Sequence, residues 1–473
     1  MNLPFNSRLL RGHPEEALRT KSPHWSPRTS CGDLFRLLVL LLICGSSSAT
    51  SAAAASWFVS PSGDDDNSGS LEAPFATVGR AQDAASPGDT IYFRGGVYQM
   101  RESDIAARRG LFARVIVLGK SGLPGRPITY RCWDNERPCF DFSDVRPAGQ
   151  RVTGFYVRGS WLHLKGLEVT GVQVTIRDHT QSICIESHGS HNIFERLALH
   201  DGQAIGIYHV RGSDNLFLNC DAWNNWDRTS EDGVGENVDG FGCHPPPGST
   251  GNVFRGCRAW FNSDDGFDCI SADEAVTFEN CWACYNGYSP DMQRLANGNG
   301  FKAGGYGSRA AGRLPLPIPR HVVKDCLAVG NKANGFYANH HPGGCDWLNN
   351  VAWDNGAEFN MLGRLDDNVT DVDGRDHHLV GNLSFGSRYG SRRILTEVDQ
   401  SQCELTGNRF SDPPQLSSVE KESLQRAELT APRDSDGNLP EIVALQNWRP
   451  LVPTAASSQL ETSTERNPTA QSD

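Results

Sequence analysis

One short motif recurs eight times between residues 163 and 385, and it limits what this chain can fold into. The copies HLKGLEV, FERLAL, FLNCDAW, FRGCRAW, FENCWAC, VKDCLAV, WLNNVAW and LVGNLSF align on Leu167, Leu197, Cys220, Cys257, Cys281, Cys326, Asn350 and Asn382. The steps between these positions are 30, 23, 37, 24, 45, 24 and 32 residues. A core step of 24 with insertions of varying length describes stacked coils whose loops differ. Each unit is too small to bury an apolar face alone, so neighbours must stack. The units alternate like strands, and no ten-residue helix recurs with them. The expected fold is therefore all-β, a right-handed parallel β-helix. A propeller would need roughly 40–50 residues per blade, and the leucine-rich repeat motif is absent.

The flanks complete this picture. PFATVGRAQDAASPGDT reads as a short amphipathic helix over 76–86, stopped by Pro87-Gly88, and IYFRGGVY as a strand. The helix is expected to cap the N-terminal end of the stack, where unpaired strand edges invite association. Segment 416–445 is expected to close or flank the other end, so that one catalytic domain covers 56–453. Residues 454–473 read as a disordered tail. LFRLLVLLLICG (34–45), followed by SSSATSAAAAS, has the make-up of a secretion signal ending residues 1–55. It is too short for a comfortable membrane span. The 33 residues before it are long for such a leader, which points to a start downstream of Met1. The protein is expected to be secreted and monomeric, without stable membrane association. Its net charge of −12 argues against nucleic acid as a partner. Of fourteen cysteines, twelve follow the leader, a number compatible with an oxidising compartment. Most recur at one phase of the repeat and read as small buried wall residues, with disulfides left open.

A second phase runs through the same coils. Its members are VDGFG (238–242), DDGFD (264–268), GNGFK (298–302) and ANGFY (333–337). Aligned on Gly-Phe, Asp239, Asp265, Asn299 and Asn334 form one column, and Gly242, Asp268, Lys302 and Tyr337 another. Neighbours in a column are separated by about 4.8 Å. The stretch NSDDGFDCI adds Asp264. Four carboxylates thus gather around one lysine, and such a crowd suits a hard cation. Calcium accepts six to eight oxygens at flexible geometry and is expected here, with Asp239, Asp264, Asp265 and Asp268 as ligands. The alternatives are a solvated acidic turn and a carboxylate pair for hydrolytic acid–base work. Lys302 is either an ion-pair partner or, beside a cation that disfavours its charged form, a general base. A base, calcium and no obvious nucleophile suit β-elimination on a uronic acid polymer. The C5 proton is removed, the C4–O bond breaks, and calcium on the carboxylate spreads the enolate charge.

The run VDGFG…NSDDGFD…NGNGFK, together with SWFVSPSGDDD and the PGDTIYFRGGVY opening, resembles the secreted pectate lyases of polysaccharide lyase family 9. The resemblance extends to about residue 410, and RDSDGNLPEI (433–442) is similar to that family's C-terminal pattern. It implies a right-handed parallel β-helix, with calcium held by Asp239, Asp264, Asp265 and Asp268 and Lys302 as the Brønsted base. It also implies an acidic polysaccharide partner, polygalacturonate, although lyases of this group act on other uronate polymers too. The insertion YNGYSPDMQRLANG (285–298) is expected to line the cleft, with Arg294 as a contact for the substrate carboxylate. Arg309, Arg313 and His321 are further candidates on the following loop, and each also reads as an ordinary loop residue. Two other readings stay open, a polygalacturonase-like hydrolase and a carbohydrate-binding β-helix without catalysis. The hydrolase family's NTD, later histidine motif and RIK element are missing. So are GxSxG, P-loop and dinucleotide fingerprints.

Overall fold

The computed structural model describes residues 53–448. The expected tail and nearly all of the expected leader lie outside the described residues. Within them, three sheets of 12, 10 and 11 strands run side by side, parallel except where Ala107–Arg109 pairs antiparallel with Phe112–Leu118 at one edge of the third. From Ile128 onward, each coil gives one strand to each sheet in turn. This is the parallel β-helix that the repeat requires. Register is kept from coil to coil, as in the pairs Phe217–Phe254 and Phe254–Phe278 of the first sheet. Those rings lie inside, 4.2 and 5.4 Å apart. Successive identical residues therefore bury one another, and the core is a set of stacks rather than a single centre.

The Cys/Asn column of the repeat sits inside the stack, where the chain leaves the first sheet for the second. Cys220, Cys257, Cys281 and Cys326 are fully buried. Cys257 Sγ donates to Phe217 O at 3.3 Å, Cys281 Sγ to Phe254 O at 3.4 Å and Cys326 Sγ to Phe278 O at 3.6 Å. One coil on, Asn350 Nδ2 does the same to Val323 O at 2.8 Å, and Asn382 Nδ2 to Trp347 O at 2.7 Å. Cysteine and asparagine share the column because both are small donors for a buried carbonyl of the preceding coil. All twelve described cysteines are free thiols.

The helix Val78–Ala84 is capped by Thr77, whose hydroxyl accepts from Arg80 N. It buries Val78 and Ala81 and packs on the strands Ser56–Val59 of the first sheet and Phe112–Leu118 of the third. Segment 416–448 does not close the C-terminal end. It runs back along the outer face of the second sheet, packing Leu424, Leu429 and Ile442 with Trp282, Leu327 and Val351. Arg258 fixes it by donating to Leu429 O and Ala431 O while holding Asp221. Arg433 reaches the same carboxylate at 2.6 Å. No described helix is long and apolar enough to cross a membrane.

Candidate active site

The third sheet carries the Gly-Phe motifs. Phe241, Phe267, Phe301, Phe336 and Phe359 point inward and stack, with Phe267 and Phe301 4.7 Å apart and nearly parallel. The glycines before the first four of them have no room for a side chain. A Cβ on Gly266 would stand 2.7 Å from Gly300 O, and one on Gly300 2.5 Å from Gly335 O. Because side chains alternate along a strand, the residue after each phenylalanine points outward. Gly242, Asp268, Lys302 and Tyr337 are register partners there, as the motif spacing predicts.

The structure brings Asp239, Asp265 and Asp268 together, each offering an oxygen within 4.8 Å of the others. Lys302 Nζ lies 3.1 Å from Asp265 Oδ2 and 3.1 Å from Asp268 Oδ2. Asp239 Oδ1 accepts from Asp265 N at 3.0 Å, and Asp268 Oδ1 from Ile270 N at 2.7 Å. Asp265 Oδ2 is fully buried and receives no well-directed hydrogen bond, even from the nearby ammonium. A buried carboxylate oxygen whose one close partner is an ammonium, and which faces two further carboxylates, fits a hard cation with oxygen ligands.

Asp264 stands apart from this trio. Its Oδ2 accepts from Asn237 N at 2.8 Å and its Oδ1 from Asn297 N at 3.0 Å, so it stitches together two loops that flank the cluster. Burial, then the Asp265 charge, pushes the Asp264 carboxyl up to about 7. Burial also raises Asp239 well above the usual carboxylate range, helped by Asp268, Asp264 and Asp265. Asp265 is raised by burial as well, although Lys302 opposes the shift. Burial disfavours the Lys302 ammonium, but the surrounding carboxylates, Asp268 foremost, outweigh it and hold the amine well above the ordinary lysine range. The chain's own groups therefore keep Lys302 protonated.

The loop 285–298 is pinned from below by Lys332, whose ammonium donates to Leu295 O and Ala296 O. Arg294 is exposed on this loop. Arg309 is committed to Asp273 and covers Tyr306, and Arg313 is exposed at the end of a 3-10 turn. His321 is not a substrate contact. It is fully buried, and its Nδ1 accepts from Val276 N at 3.2 Å. Its place at the entry to a buried strand is invisible in composition alone.

Sequence reasoning passed over His244, which follows the GFGC strand. Its Nδ1–H donates to Ile270 O at 2.6 Å, and its Nε2 is buried without a partner. Its ring packs 4.7 Å from Tyr208, the register partner of Gly242 on the preceding coil. The only available signal was its position two residues beyond the column glycine.

Residues 57–378 match the family described as Pel9A-like, right handed beta helix region. The chain is 34% identical over 397 residues to "Pectate lyase L" of Dickeya chrysanthemi, covering 81% of this chain and 82% of that protein. A solved "Rhamnogalacturonan lyase" superposes with a TM-score of 0.77 at 41% identity, covering 85% of this chain and 98% of that one. The solved pectate lyase Pel9A superposes with a TM-score of 0.63 at 32% identity, covering 82% and 87%. The chain belongs to the Pel9A-like right-handed β-helix family, polysaccharide lyase family 9, and is an enzyme of that lyase class.

Proposed function

We propose that the chain is a calcium-dependent pectate lyase, cleaving α-1,4-polygalacturonate by β-elimination with Lys302 as general base. The observation that supports this most is the position of Lys302 Nζ, 3.1 Å from carboxylates of two register-linked aspartates on an outward sheet face. Asp239, Asp265 and Asp268 would hold the calcium, with Asp264 beside them as the fourth carboxylate of the site. When bound, calcium supplies positive charge that weakens the hold of these carboxylates on the Lys302 proton and draws the charge developing on the substrate carboxylate. Lys302 in its neutral form takes the C5 proton. The C5–H electron pair becomes the C4–C5 double bond, the C4–O bond breaks, and the departing oxygen takes a proton from solvent. Lys302 follows a phenylalanine locked in a ring stack, so the amine is aimed by rigid scaffold rather than by a loop. Arg294, exposed on the neighbouring loop, remains the candidate contact for a substrate carboxylate.

A second reading, lyase action on rhamnogalacturonan, is favoured by the 41% identity to a solved protein of that name. One assay separates the readings. Absorbance of 4,5-unsaturated uronyl ends is followed on polygalacturonate and on rhamnogalacturonan, with calcium, with chelator, and with Lys302→Ala. Signal on polygalacturonate that needs both calcium and Lys302 supports the proposal. Signal on rhamnogalacturonan alone moves the substrate to the second reading. Saturated reducing ends would mean hydrolysis instead, and binding without cleavage a lectin-like role. The same reading places the protein outside the cell, with its leader removed near Ala55. Amino-terminal sequencing of protein from the culture medium tests that.

A further inference from the structure

A line of side-chain amides runs into the carboxylate cluster from the coils beyond it, and its direction is fixed. Asn360 Oδ1 accepts from Leu362 N at 3.1 Å, which leaves Asn360 Nδ2 to donate to Asn334 Oδ1 at 3.2 Å. Asn334 Nδ2 donates to Asn299 Oδ1 at 2.7 Å, and Asn334 N reaches the same oxygen at 3.3 Å. Asn299 Nδ2 and Asn299 N both donate to Asp265 Oδ1, at 2.8 and 2.7 Å. Asp265 N then donates to Asp239 Oδ1. Backbone N–H groups identify the oxygen of Asn299 and of Asn360, so the amide orientations are dictated by the network rather than chosen. Every donor end points toward the carboxylates.

The fold does not impose this sense. The longer asparagine ladder between the second and third sheets runs the other way. Asn225, Asn262, Asn286 and Asn331 each donate through Nδ2 to the asparagine of the following coil, and Asn355 ends the line on Glu358 Oε2 at 2.6 Å. Two ladders of opposite polarity therefore end on two buried carboxylates. The one at the cluster engages only one oxygen of Asp265. With Oδ1 held by two donors, the carboxylate cannot rotate, and Oδ2 alone is presented to Asp239 and Asp268.

We infer that Asn299, Asn334 and Asn360 are positioning residues that set calcium affinity by locking Asp265 in a one-oxygen presentation. The inference rests on the calcium reading above. Partners behind a metal-ligating group typically contribute ~10–100-fold to metal affinity. Calorimetric titration of the full chain with calcium chloride tests it, using Asn299→Ala, Asn334→Ala and, from the opposite ladder, Asn331→Ala. The expected result is binding by the unaltered chain, ~10–100-fold weaker binding by Asn299→Ala, a smaller weakening by Asn334→Ala, and no change in affinity for Asn331→Ala. Asn334 is only half-buried and its loss leaves Asn299 Oδ1 with a backbone donor, so that variant is informative even if Asn299→Ala misfolds. Unchanged affinity in Asn299→Ala and Asn334→Ala overturns the inference while leaving the calcium reading standing. An equal loss in Asn331→Ala also overturns it, since the effect would then be general loosening of the coils. No binding by the unaltered chain overturns the calcium reading and this inference together.

Discussion

Glu358 offers a prediction whose size follows from the structure. The side chain is fully buried, and both its oxygens accept from Asn355, Oε1 from the backbone at 3.1 Å and Oε2 from Nδ2 at 2.6 Å. Burial pushes its carboxyl from an ordinary 4.5 up to about 8, against the pull of the Asn355 hydrogen bonds. Below pH 4.5 the carboxyl is protonated in folded and unfolded chains alike. Between pH 4.5 and 8 the unfolded chain ionises while the folded one keeps its proton, so stability falls as pH rises. At about 1.4 kcal/mol per pH unit, the loss is about 5 kcal/mol by pH 8, and it levels off above that. Glu358→Gln removes this dependence. It also turns one Asn355 donor toward an amide N–H, which costs about 1–2 kcal/mol at every pH. The variant should be less stable than the parent at pH 5 and more stable by about 3 kcal/mol at pH 8, the difference curves crossing near pH 6. Urea unfolding of both proteins in saturating calcium, at steps from pH 5 to 9, measures that difference and cancels the other titrating groups. A difference that stays constant over this range would show that Glu358 ionises normally in the folded chain, and the reasoning would fail.

Three further outcomes are expected. Lys302→Ala should lower the elimination rate by ~10²–10⁴-fold, the usual contribution of a general base, while calcium affinity stays equal or rises because a nearby positive charge is gone; steady-state absorbance and calorimetry read the two effects. Asp239→Asn should raise the melting temperature in chelator at pH 8, because burial and three carboxylate neighbours hold the Asp239 carboxyl well above its ordinary value and ionising it lowers stability. The same variant should lose the stabilisation that calcium gives the parent. Gly300→Ala should cost about 1–3 kcal/mol by overpacking, since its Cβ would meet Gly335 O at 2.5 Å, and should reduce kcat more than it changes KM, because Phe301–Lys302 must shift.

The Gly-Phe spacing carried most of the site. A parallel stack repeats its register, so aligning on Gly240, Gly266, Gly300 and Gly335 places Asp268 against Lys302 without any knowledge of loop shape. The physical reason is the crowding behind those glycines, which permits one residue type and makes the motif a reliable ruler. The cysteine column was legible as buried, but not as a row of donors matched to carbonyls, because sequence spacing does not reveal which groups of the preceding coil lack a partner. His321 misled for a similar reason. It sits in a long insertion that reads as solvent-facing, yet the chain has already re-entered the stack by that residue.

Asp264 and Asn360 mark where the motif stops informing. Asp264 adjoins Asp265 in sequence at a bend just before the strand Phe267–Asp268, and the two carboxylates take different partners. Asp264 turns to the amides of Asn237 and Asn297, while Asp265 turns to the cluster. Asn360 lies one coil past the last Gly-Phe copy, in AEFN, where no glycine precedes the phenylalanine, so the motif does not register it. Its phenylalanine nevertheless continues the ring stack at 4.9 Å, and Asn360, the register partner of Tyr337, reaches across to the Asp239 column through Asn334 Oδ1. The stack of rings therefore outlasts the glycine that signalled it. Ring register delivers the strand but not the amide, since Ala357 stands opposite Asn334, and the line is extended only because Asn360 reaches back from the neighbouring column.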